Sequence, residues 1–146
     1  MQFSKCFWGI FILGLFWLGL SQPSWAMDLA HQTPIDLNMR LGNETGELRF
    51  VPDRLALQSG KRYKLHLSNN SPTKHYFTAK DFADGIWSQK VDAGNVEIKG
   101  AIHELELRPN TEAEWVFVAV RPGVYGLRCT VAGHTEAGMV GQIIIK

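Results

Sequence analysis

Cys129, His134 and Met139 stand at equal intervals in the run Cys129-Thr130-Val131-Ala132-Gly133-His134-Thr135-Glu136-Ala137-Gly138-Met139, near the end of the chain. A thiolate, an imidazole and a thioether on one short loop, joined by a second imidazole from elsewhere, make a mixed soft and borderline donor set. Such a set holds copper in a trigonal site with a weak axial sulfur. His75 is the candidate for the second imidazole, because it alone among the five histidines follows a turn, Asn69-Asn70-Ser71-Pro72, at the start of a strand-like segment.

Other chemistries for Cys129 suit the sequence less well. The chain has two cysteines, and Cys6 falls in a segment expected to be removed on export, which leaves one thiol and no intramolecular disulfide. In an oxidising compartment a lone thiol is a liability unless it pairs with another chain, reacts or is held by a metal. A nucleophilic cysteine needs a base and an orienting group, but has no use for a methionine five residues past the histidine. Zinc seldom takes a thioether, and one cysteine falls short of its usual structural sets. Haem attachment requires Cys-x-x-Cys-His, and the sequence has no such motif.

The remaining histidines read as ordinary surface or core residues. His66 lies between Leu65 and Leu67 on the polar face of its segment, His103 shares parity with Leu105 and Leu107 and is expected to be partly buried, and His31 sits in an N-terminal tail. Met27 and Met39 read as terminal and core residues, and Trp87 and Trp115 as packing on strands.

The elements that must position the site follow from two patterns. At the N-terminus, Lys5 precedes a fifteen-residue apolar run from Cys6 to Leu20, and Ser24-Trp25-Ala26 sets small residues where a signal peptidase reads. The run is short against the roughly 20 residues that span a bilayer, so residues 1–26 read as a cleaved signal peptide rather than an anchor. The mature chain is expected outside the cytoplasm, in a periplasm or, in a photosynthetic organism, a thylakoid lumen, with no stable membrane insertion after cleavage. Residues 27–146 suffice for one domain and one core. All fourteen acids lie there with fourteen of the fifteen Lys and Arg, so their formal net charge is zero and no nucleic-acid partner is expected.

Along this domain the period is two. Ile35, Leu37, Met39 and Leu41, then Leu48 and Phe50, Leu55 and Leu57, and Tyr63, Leu65 and Leu67 alternate with polar residues, separated by Gly42-Asn43, Pro52-Asp53 and Ser59-Gly60. A second series covers residues 76–80, 86–91, 102–107, 112–120, 124–129 and 140–145, with short helical turns possible only over 79–85 and 131–138. Many short strands at this spacing predict an all-β, antiparallel Greek-key sandwich. Counting back by twos from Cys129 places Leu127 and Tyr125 inward and Arg128 and Gly126 outward, so the thiol points into the protein. If the strand opened by His75 neighbours the one closed by Cys129, both ligands share one end of the sandwich.

The stretch Gly123-Val124-Tyr125-Gly126-Leu127-Arg128-Cys129, followed by Ala137-Gly138-Met139-Val140-Gly141, resembles the end of a cupredoxin of the plastocyanin and azurin superfamily. Four residues between Cys129 and His134, and four between His134 and Met139, resemble the loop spacing of auracyanin and rusticyanin. Two positions depart from the plastocyanin and azurin pattern. Tyr76 stands where an Asn commonly ties the two ligand loops together, leaving only its backbone N–H to meet the thiolate. Arg128 stands where plastocyanins carry a partner-facing aromatic. The resemblance implies one type 1 copper ion held by His75, Cys129, His134 and Met139.

A site that satisfies neither Cu(I) nor Cu(II) fully lets both share one geometry, so little reorganisation accompanies electron transfer. The expected function is therefore a soluble, monomeric carrier that shuttles single electrons between redox proteins through a weak, transient interface near His134. The alternative is a periplasmic protein for copper trafficking or tolerance. An enzyme is not expected, since oxidases and reductases of this superfamily need a second copper site, usually built from His-x-His pairs or added domains, and this sequence has neither.

Overall fold

A computed structural model describes residues 28–146; the expected signal peptide, residues 1–26, lies outside them, with Lys5 and Cys6. Period-two alternation becomes strand wherever one face finds a core. In β4 (Arg62–Asn69) every second residue is buried, so Tyr63, Leu65, Leu67 and Asn69 point inward. The first sheet sets β2 (Phe50–Val51), β1 (Ile35–Leu41), β4, β9 (Thr111–Ala119), β6 (Ile86–Ala93) and β7 (Val96–Ile98) side by side in that order. The second is ordered β3 (Arg54–Leu57), β11 (Val140–Ile145), β10 (Gly123–Arg128), β5 (His75–Thr78) and β8 (Glu104–Leu107). The expected two-sheet sandwich forms. Two of its pairs, β1 with β4 and β3 with β11, are parallel.

Between the sheets lies an aromatic core. Trp115 and Phe117 of β9, Phe77 of β5 and Phe82 are all buried, and Phe82 meets Trp115, Phe117 and Tyr125 edge to face at centroid distances of 6.0, 5.4 and 5.9 Å. Phe82 comes from α1 (Lys80–Ala83), the single turn expected over 79–85, which swings the chain across the end of the sandwich between β5 and β6. Trp115 satisfies its indole N–H on Ser88 Oγ at 2.9 Å, so its burial leaves no orphan donor. Trp87, by contrast, faces outward and is 48% exposed.

Two features differ from the sequence reading. β7 was not foreseen, because all three of its residues are exposed and it carries no inward–outward alternation; it exists by pairing with β6 across a tight turn at Gly94. His103 is exposed rather than partly buried, because β8 begins only at Glu104 and the parity of Leu105 and Leu107 does not extend back to it. Among the described residues no helix is long and apolar enough to cross a membrane.

The order β11-β10-β5 is what matters for the site. β10 ends one residue before Cys129, β11 begins one residue after Met139, and β5 begins at His75. Three adjacent strands of one sheet thus deliver the ligand-type residues to one end of the sandwich.

Candidate metal centre

The turn before β5 is held by its own side chains. Asn69, fully buried, donates from its amide to Thr73 O at 2.9 Å and Leu107 O at 2.8 Å and accepts the Ser71 N–H at 2.9 Å. Ser71 Oγ donates to Thr73 O at 2.8 Å and lies 2.8 Å from His75 Nε2. With the hydroxyl proton committed to Thr73, the bond to His75 requires Nε2 to carry the hydrogen. The Nδ1 lone pair is then free to coordinate, the outer-shell arrangement expected of a metal-binding histidine.

Gly42 completes this wall. Its φ is +71°, and a Cβ there would sit 2.7 Å from His75 Nε2 and 3.0 Å from Ser71 Cβ, so a side chain would push the ring out of place.

The second half of the site is a loop knotted by main-chain bonds. Cys129 N–H donates to Met139 O at 3.1 Å, Met139 N–H to His134 O at 2.9 Å, and His134 N–H to Val131 O at 3.0 Å, while Thr135 Oγ1 donates to Cys129 O at 2.6 Å. Gly133 and Gly138 take φ of 81° and 98°, the left-handed turns that let His134 and then Met139 return toward Cys129. As expected from parity, Tyr125, Leu127 and Cys129 are buried and Gly126 and Arg128 exposed.

The two halves meet in a triangle. His75 Nδ1 lies 3.2 Å from His134 Nδ1, Cys129 Sγ lies 3.5 Å from His134 Nδ1, and Cys129 Sγ lies 3.9 Å from His75 Nδ1. The point equidistant from all three is about 2.1 Å from each, within the range of roughly 2.0–2.3 Å for bonds from a first-row ion to imidazole and thiolate. His75, Cys129 and His134 are also the one group with metal-ligand spacing among the His, Cys, Asp and Glu of the described residues. The donor set and its spacing therefore fit a copper ion. Met139, fully buried and bonded through its backbone to both Cys129 and His134, is held at the same loop end.

The surroundings of His75 favour its ligating form. Burial, with the neighbouring His134 as a smaller influence, lowers the pKa of His75 below the ordinary imidazole value, which favours its neutral ring. Tyr76 donates its backbone N–H to Cys129 Sγ at 3.3 Å. His134 is partly exposed, and Ala132, Gly133 and Ala137 beside it are exposed, as is Glu136, leaving a rim of small residues with a carboxylate on it. The other histidines are engaged elsewhere: His66 between Asp36 and Glu114 at 3.0 and 3.1 Å, and His103 on Asp84 at 2.7 Å. Asn69, Ser71 and Gly42 escaped the sequence reading. The Asn-Ser-Pro turn signalled a bend but not that its polar atoms would face a ligand.

Comparison with known proteins agrees with this geometry. The family model for copper-binding proteins of the plastocyanin/azurin family matches residues 37–146. Plastocyanin of Mercurialis perennis is 28% identical over 112 residues, covering 75% of this chain and 100% of that protein. The chloroplastic plastocyanin minor isoform of Arabidopsis thaliana is 27% identical over 112 residues, 75% of this chain, which spans only 58% of that longer protein. Among solved structures, auracyanin A, a "blue" copper protein from Chloroflexus aurantiacus, aligns over 78% of this chain and 100% of its own with a TM-score of 0.53 at 20% identity. A multicopper oxidase from Campylobacter jejuni aligns over 79% of this chain but 31% of its own, with a TM-score of 0.57 at 13% identity. At these identities the structural likenesses speak for the fold. The family match over most of the described chain speaks for lineage: this chain belongs to the copper-binding plastocyanin/azurin family, the cupredoxins, and copper is its cofactor.

Proposed function

We propose that the chain is an exported type 1 copper protein that passes single electrons between redox proteins, and that His75, Cys129, His134 and Met139 would hold the copper ion. The observation that carries this is the triangle of two Nδ1 atoms and one Sγ, already sized for a metal by hydrogen bonds that involve no metal. Bound copper supplies the one-electron couple between Cu(I) and Cu(II). The chain's part is to keep the ligands still while the charge changes: Ser71 orients His75, the Tyr76 N–H steadies the thiolate, and the bonds among Cys129, Met139 and His134 hold the loop closed.

Electron entry and exit are assigned to the partly exposed His134, inside its rim of small residues, where a partner docks briefly over a small area. Residues 27–146 form the mature domain, a monomer in a periplasm or thylakoid lumen, and an intact mass beginning at Met27 is expected for the secreted protein. A copper courier would need to surrender the ion readily, and four ligands on a braced loop and a separate strand oppose that. The chain builds one ligand cluster among its described residues, which suits a carrier better than an oxidase or reductase.

The deciding experiment loads the protein with copper and follows its visible spectrum. An intense thiolate-to-copper band that vanishes in Cys129→Ser, and persists in His66→Ala and His103→Ala, supports the assignment. Stopped-flow reduction beside transfer to a Cu(I) chelator then separates the roles. Fast copper loss with sluggish electron exchange would favour trafficking.

A further inference from the structure

The two halves of the ligand set are joined by very little backbone. β10 and β11 run in register from Gly123 opposite Ile145 to Arg128 opposite Val140, and β5 and β8 from His75 opposite Leu107 to Thr78 opposite Glu104. β10 and β5, which carry Cys129 and His75, share a single registered pair, Arg128 opposite Thr78. Their ladder stops there because the next donor on β5, the Tyr76 N–H, turns to the Cys129 sulfur. The side chain of Tyr76 adds no tie, since its hydroxyl is bonded to Glu106 on the opposite side.

A carboxylate from a third strand closes this gap. Glu104, the first residue of β8, accepts the Thr78 hydroxyl at 2.6 Å and the Thr130 hydroxyl at 2.8 Å on one oxygen, Oε2, and the two hydroxyl oxygens lie 3.3 Å apart. Thr78 ends the strand that His75 begins, and Thr130 follows Cys129 directly. Both hydroxyls point to the same acceptor at the one place where the strands are paired.

We propose that Glu104 is a positioning residue of the copper site: a clamp that registers the His75 strand against the Cys129 loop and so fixes the separation of the imidazole and thiolate ligands. The clamp touches neither ligand. It acts through Thr78 on one side and Thr130 on the other, and its carboxylate serves as a shared acceptor rather than as a charge. Without it the two strands remain joined by one backbone pair and the N–H to sulfur contact, and the ligand triangle is free to open along its longest edge, from Cys129 Sγ to His75 Nδ1 at 3.9 Å. A hydrogen bond to an exposed carboxylate shifts an equilibrium by about fivefold, so losing two such bonds is an effect of measurable size.

This inference rests on the ligand assignment above. The test uses the copper-loaded protein, wild type beside Glu104→Ala, Glu104→Gln, Thr130→Val and, as a control, Glu97→Ala, which removes an exposed carboxylate of β7 that pairs with Lys90 and Lys99. Three quantities are read: the thiolate-to-copper band, the rate of handover to a Cu(I) chelator, and the melting temperature of the metal-free chain. Glu104→Ala is expected to release copper about fivefold faster or more, with a shifted band. Thr130→Val should move both in the same direction by less, and Glu104→Gln, which keeps an acceptor oxygen, should restore most of the wild-type behaviour.

Glu97→Ala should match wild type. A Glu104→Ala protein with unaltered band and release would overturn the clamp. So would Glu104→Gln behaving like Glu104→Ala, which would make the effect one of charge, or a faster release that merely follows a lower metal-free melting temperature with the band unmoved. A wild-type protein that binds copper without the thiolate band would instead overturn the ligand assignment itself.

Discussion

Ser71 shows how much of a metal site is decided by residues that never touch the metal. Its hydroxyl gives its proton to Thr73 O and takes one from His75 Nε2, and this chain of donors leaves Nδ1 as the free lone pair. Ser71→Ala removes the acceptor, leaves a buried N–H unpaired and frees the ring to turn. Loss of such an outer partner typically costs 10–100-fold in metal affinity, and competition against a Cu(I) chelator is expected to find a decrease in that range. The proposed role of Met139 is tested differently. Met139→Leu removes a weak donor and is expected to raise the reduction potential, whereas Met139→Gln supplies a harder oxygen and is expected to lower it, as a redox titration would show. A potential unchanged from the wild type in both variants would mean that Met139 does not coordinate.

At the scale of elements, α1 offers a separation of stability from function. Its Phe82 is fully buried against Trp115, Phe117 and Tyr125, yet makes no hydrogen bond to the ligand loop or to the turn before β5. Phe82→Ala is expected to cost about 3–5 kcal/mol of stability in urea titration, while the folded fraction keeps its copper spectrum.

The same contrast explains what was legible in the sequence. Strands whose residues alternate across a core announced themselves, and the parity of Tyr125, Leu127 and Cys129 fixed the direction of the thiol. His75 was legible because a turn signal preceded it. Gly42 was not, because what makes it necessary is a ring that comes close only after folding. β7 lacked any alternation to read, and the parallel pairing of β1 with β4 depends on the path between strands rather than on their composition. Glu104 lies in a plainly strand-like stretch, and nothing local reveals that one threonine of β5 and one of the Cys129 loop converge on it.

The molecule as a whole carries little net charge, and the rim beside His134 is built of Ala132, Gly133 and Ala137 with Glu136 as its charged member. Encounter with partners at this rim should therefore depend only shallowly on ionic strength. Ala132→Lys is expected to steepen that dependence, slow exchange with a basic redox protein several-fold and speed it with an acidic one, and leave the potential nearly unchanged; stopped-flow traces at several salt concentrations would show it. A large shift in potential would mean that position 132 acts on the ligands and not on docking.

The bond from Tyr76 to the sulfur has a further consequence. Its donor is a peptide N–H, and every residue except proline brings one. The polarity felt by the sulfur is thus insured against mutation at position 76, while the hydroxyl there reaches away to Lys74 and Glu106 and takes no part in that bond. A lineage can rewrite that patch of surface, residue by residue, without retuning the electronics beneath it.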